Sequence, residues 1–91
     1  IRVAVAMDHS RMTSDNIAAI LPGSDARLRD EYVIVSAHLD HMGEGSPIGG
    51  DSIYNGALDN AAGIASLFEI ARTLKASPPR RSVLLLAVTG E

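Results

Sequence analysis

Hydrophobic and polar positions alternate in three distinct ways along this chain. Residues 32–35, Tyr-Val-Ile-Val, form an apolar stretch that runs into Ser36 and Ala37, which predicts a strand. Residues 60–76 then place Ile64, Leu67, Phe68, Ala71 and Leu74 at helical spacing, the stripe of a half-buried helix. Asp59 or Asn60 would cap its first turn, and Pro78 and Pro79 would end it. Residues 82–88 are continuously apolar after Ser82, as expected of a strand buried on both faces in a parallel sheet. Strand, helix, strand is a βαβ unit with a right-handed crossover.

The first third reads as antiparallel β. Residues 1–7 look strand-like, with Arg2 among apolar neighbours, and residues 16–21 are apolar after Asn16. Pro22-Gly23-Ser24-Asp25 is a turn signal, and residues 26–31 form a charged connector into the next strand. Residues 42–56, with five glycines and Pro47, read as a loose loop, either a plain crossover or part of a pocket wall. The fold class is therefore α/β, with an antiparallel β start followed by the βαβ unit. No internal repeat or low-complexity segment is visible.

This topology has a chemical consequence. In a βαβ unit the C-terminal ends of both strands and the N-terminus of the helix share one sheet edge, where α/β proteins usually bind ligands. His38, Asp40, Asp59 and Glu91 should therefore converge there. Residues two apart on an extended strand point the same way, so His38 and Asp40 can touch. One reading is a metal-bound histidine oriented by a carboxylate, or two ligands of one site. The other is a strand end with solvated polar residues. One imidazole and three carboxylates in one crevice call for a compensating cation, and mixed nitrogen and oxygen donors suit zinc.

Composition narrows the classes. Ninety-one residues allow one domain at most, and hydrophobic residues at 46% suffice for a core. Aromatics at 3% and a net charge of −3 argue against nucleic acid as partner. The absence of cysteine removes disulfides and thiolate metal sites. The apolar runs are too short for a membrane segment or signal peptide. His9 reads as a surface residue, Met7, Met12 and Met42 as packing or surface residues, and Arg80 and Arg81 before a buried strand as gatekeepers or solvated charges. His41 could line the pocket but reads as a non-ligand. Asp51 and Tyr54 could border a cleft, although nothing in the sequence requires it.

Three blocks together carry a resemblance: Ser36-Ala-His-Leu-Asp-His41, Asn55-Gly-Ala-Leu-Asp-Asn-Ala-Ala-Gly63 and Thr89-Gly-Glu91. Over residues 16–91 the chain resembles the co-catalytic di-zinc aminopeptidases of metallopeptidase clan MH. That group also includes glutamate carboxypeptidases, glutaminyl cyclases and the non-catalytic transferrin-receptor ectodomain. The resemblance implies part of a three-layer zinc-exopeptidase fold, with a strand hairpin ahead of the ligand-bearing strand. It implies that His38 ligates one zinc, Asp59 bridges two, Asp40 orients His38, and Glu91 is the general base. It also implies a cis peptide between Asp59 and Asn60, and a peptide with a free amino terminus as substrate.

The family pattern continues past Glu91 with further zinc ligands, and the chain begins at Ile1. The expectation is a catalytic domain truncated at both ends, 1–91, weak in zinc binding and inactive alone. Exposed sheet edges would favour self-association. By family analogy the parent would be secreted or periplasmic. The alternatives are a non-catalytic interaction domain on the same fold and a glutaminyl-cyclase-like activity.

Overall fold

The computed structural model describes residues 2–90. Five strands and one helix follow in the order β1 (Ile17–Leu21), β2 (Tyr32–His38), β3 (Gly43–Ile48), β4 (Asp51–Tyr54), α1 (Ala62–Ala76) and β5 (Ser82–Val88). The fold is mixed α/β: a three-stranded sheet in the order β1-β5-β2, one helix against it, and a separate two-stranded hairpin.

β2 and β5 run parallel with Tyr32 opposite Ser82 and His38 opposite Val88, the βαβ unit the sequence predicts. β1 and β2, however, do not pair with each other. β5 lies between them, antiparallel to β1, with Ile17 opposite Ala87 and Leu21 opposite Val83. The antiparallel start is therefore completed by the last strand of the chain. The sequence placed β1 and β2 as neighbours because they are adjacent along the chain. The more apolar β5 takes the central position, where a strand has ladder bonds on both sides and the least exposure.

Residues 2–16 carry no regular structure, contrary to the strand expected over residues 1–7; residue 1 lies outside the described residues. Alternation alone does not make a strand, because the ladder needs a partner. Residues 42–56 form the β3–β4 hairpin rather than a loose loop. Its turn is Gly49-Gly50, with φ values of 62° and 92°, the two positive angles that a two-residue hairpin turn matching strand twist requires.

α1 begins two residues later than the periodicity suggested. A wide turn over Ala57–Ala61 precedes it, in which the Ala61 N–H donates to Gly56 O, five residues back, at 3.0 Å. The Asp59–Asn60 peptide is cis. Asn60 supplies the cap: its Oδ1 accepts the Gly63 N–H at 2.9 Å. The helix ends at Ala76, ahead of the two prolines.

Alternate residues of each strand face α1. Leu67, Val83 and Leu85 are buried, with Leu21, Val35, Ala37, Ile64, Ile70, Ala71, Leu74 and Ala87 packed around them. Ile70 thus joins the stripe, while Phe68 is 71% exposed at its flank. There it lines an apolar groove of about 240 Å³ with Ile17, Leu39, Ile64 and neighbours. The opposite sheet face, with Ile20, Ile34, Leu84 and Leu86, has no helix over it among the described residues. Ile20 and Ile34 are exposed, and Leu84 and Leu86 only half-buried, so the double-sided burial expected of β5 is met on the helix side alone. No helix among the described residues is long and apolar enough to cross a membrane.

The end of the sheet where β2 and β5 begin is closed by one hydroxyl. Ser82, 3% exposed, donates from Oγ to Arg29 O at 2.6 Å and accepts the Gly23 N–H at 2.9 Å. Its own N–H donates to Glu31 O at 3.1 Å. Gly23 is required here because a Cβ would lie 2.5 Å from Arg80 O and 2.6 Å from Arg81 C. The flanking turn is tied down by Ser24 N–H to Pro79 O at 2.8 Å and by the Asp25–Arg80 ion pair at 2.7 Å.

Candidate metal centre

Three of the four residues singled out for chemistry meet at the carboxyl edge of the sheet. β2 delivers His38 beside Val88 at the last rung of the parallel ladder. One residue on, Leu39 N–H donates to Val88 O at 2.7 Å, which keeps the two chains together beyond the strands. Asp59, on the wide turn that leads into α1, comes across so that its Oδ1 lies 3.1 Å from His38 Nε2. Glu91 lies outside the described residues.

The His38–Asp40 relation differs in detail from a simple imidazole–carboxylate pair. His38 Nδ1 is 3.0 Å from the backbone carbonyl of Asp40 and 3.8 Å from its carboxylate Oδ1. A carbonyl can only accept, so Nδ1 carries the proton in this contact. In the neutral ring that leaves the Nε2 lone pair directed toward Asp59, the tautomer a metal ligand needs. The carboxylate itself works on the backbone: Asp40 Oδ2 accepts the Gly90 N–H at 2.7 Å. Asp40 thus couples the His38 ring, through its carbonyl, to the segment just after β5, through its side chain.

Two residues belong to this edge that the sequence reading passed over or set aside. Asn16 Oδ1 accepts the Thr89 N–H at 2.8 Å, so the start of β1 also holds the segment after β5. An asparagine just before a strand carries no distinguishing signal, because its partner is 73 residues away. His41, read as a non-ligand, turns its Nδ1 inward to 3.6 Å from Asp59 Oδ2. Its signal was its place, directly after Asp40. With Asp40, Met42 and Asp59 it lines a pocket of about 200 Å³. Asp51 and Tyr54 belong to the hairpin instead, where Asp51 Oδ1 accepts the Ile53 N–H at 2.9 Å and Tyr54 Oη donates to Ser46 O at 3.0 Å.

The donor set fits a divalent zinc ion in kind: an imidazole nitrogen facing a carboxylate, beside a pocket. It does not fit in number. Among the described residues no group of three or more His, Cys, Asp or Glu side chains is placed to hold an ion. What these residues present is His38 Nε2 facing Asp59 Oδ1, with Asp40 behind the imidazole.

No solved structure matches the chain. The model of peptidase family M28 matches residues 16–91. Its members are zinc-dependent metallopeptidases, and the matched span takes in β1, β2, the wide turn, α1 and β5. The chain that brings His38 and Asp59 together at this sheet edge belongs to peptidase family M28.

Proposed function

We propose that this chain contributes to the catalytic centre of a zinc aminopeptidase that removes residues from the free amino termini of peptides. The observation that carries this reading is the approach of His38 Nε2 to Asp59 Oδ1, 3.1 Å, between side chains held by different elements. His38 would ligate one ion, and Asp59 would bridge it to a second. When bound, zinc supplies a Lewis acid and lowers the pKa of water toward about 7.

The chain's own residues would do the rest. The Asp40 carbonyl keeps the proton on His38 Nδ1, which fixes the ring and leaves Nε2 to bind. The Asp40 carboxylate and Asn16 hold residues 89 and 90 against the edge, and one residue follows Gly90 in the sequence. That residue is Glu91, which would take a proton from the attacking water and return it to the departing amine. The chain would be part of a longer protein that provides the remaining ligands and the specificity pocket.

The test uses the full-length protein with zinc. Hydrolysis of an aminoacyl anilide, but not of its N-acetylated form, is expected, and Asp59→Ala should abolish both activity and tight zinc binding. Cleavage of an N-acetylated peptide with a free carboxyl terminus, from that end, would replace the aminopeptidase reading with a carboxypeptidase one. No hydrolysis and no zinc binding would leave an interaction module on the same fold.

A further inference from the structure

We propose that His41 is a positioning residue for Asp59, holding the second carboxylate oxygen while His38 faces the first. This rests on the reading of Asp59 as a metal ligand. His41 Nδ1 is buried and has no hydrogen-bond partner, although burying a ring nitrogen without one is unfavourable. Asp59 Oδ2 lies 3.6 Å away, slightly beyond bonding distance. Asp59 therefore sits between two imidazoles, Oδ1 toward His38 Nε2 and Oδ2 toward His41 Nδ1.

The approach of the ring is built in. Gly56, with φ of 60°, lies between His41 and the Asp59 backbone, and a Cβ there would fall 2.9 Å from His41 Cβ and Cγ and 2.7 Å from Asp59 O. A side chain at position 56 would push the imidazole off the carboxylate. The missing side chain, the inward Nδ1 and the cleft wall shared by His41 and Asp59 have one common effect. They set the plane of the Asp59 carboxylate, which decides whether each oxygen can point to its own ion. A carboxylate free to rotate about its terminal bond would present either oxygen to either side.

The experiment titrates zinc against a competing chelator with the full-length protein and its His41→Ala, His41→Asn and His38→Ala variants, and records the visible spectrum of each cobalt-substituted form. Asparagine keeps an N–H near the position of Nδ1. His41→Ala should weaken metal binding about tenfold to a hundredfold, as expected for a group that orients a ligand, with the number of ions unchanged. His41→Asn should recover most of that loss, and its cobalt bands should match the wild type. Affinity in His41→Ala within twofold of wild type, while His38→Ala loses binding, would overturn the positioning role and leave the metal reading standing. Loss of one bound ion with no rescue by asparagine would make His41 a ligand, which also overturns it. Unchanged binding in His38→Ala would remove the metal reading and this proposal with it.

Discussion

Replacing Ser82 by alanine tests the account of how the sheet end is closed. The hydroxyl serves the Gly23 N–H at 2.9 Å and Arg29 O at 2.6 Å from a residue that is 3% exposed. Its removal leaves the half-buried Gly23 N–H unsatisfied, at about 1–3 kcal/mol. Arg29 is exposed, so its carbonyl regains water and loses only a net bond, about 0.5–1.5 kcal/mol. The expected destabilisation is about 1.5–4.5 kcal/mol, or a fall in Tm of roughly 6–36 °C for a domain of this size. The comparison variant is Ser24→Ala, whose exposed hydroxyl donates to Pro79 O at 3.0 Å and should matter by less than about 0.5 kcal/mol. Urea denaturation followed by circular dichroism gives both values, and amide exchange at Gly23 should accelerate in the first variant alone. If the two serine variants lose the same small amount, the hydroxyl is not what closes this end.

Other outcomes follow from the same structure. Gly23→Ala should destabilise by more than about 2 kcal/mol in the same urea assay, because its Cβ would meet backbone rather than a side chain able to move. Leu67→Ala, at the centre of the buried cluster, should cost about 2–5 kcal/mol by thermal melting, whereas Phe68→Ala at the exposed flank should cost far less. The Arg80 guanidinium, helped by the Arg27 N–H, holds the Asp25 carboxyl below its ordinary value of 3.8. A lowered folded-state pKa gives stability that is present above the ordinary value and lost as pH falls through the folded one. Urea midpoints measured from about pH 5 downward should therefore fall less steeply for Asp25→Asn than for the wild type.

The parts of the fold that were legible in the sequence are those with a local cause. The helical stripe from Ile64 to Leu74, the stop at Pro78 and the apolar β5 each show in a window of a few residues. The convergence of His38, Asp40 and Asp59 was legible because the βαβ rule turns local elements into a shared edge. What was not legible depends on partners far along the chain. Nothing in residues 17–21 says that their neighbour is β5 rather than β2, since the choice rests on pairing 62 to 70 residues away. Phe68 looks like a core residue because the helical period includes it, yet the width of the sheet beneath decides whether it is covered, and β1 ends the sheet there. The β3–β4 hairpin did have a signal in Gly49-Gly50, hidden among the other glycines of that stretch. His41 differs again, since its bearing on Asp59 depends on the turn at Gly56 bringing position 59 back over position 41.

The central position of β5 has a consequence for how the protein is made. Synthesis runs from β1 to β5, so the strand that both outer strands need is the last of the three to leave the ribosome. Its rungs join residues 50 to 70 positions apart, and closing such long loops slows folding. Until then β1 and β2 wait as unpaired apolar segments with Ile17, Ile20, Val33 and Ile34 in water, the state in which nascent β-chains associate with each other. The hairpin and α1, whose contacts are local, can form during that interval. Expression should therefore depend on translation speed through residues 77–90 and on chaperone supply, even where the finished protein is stable.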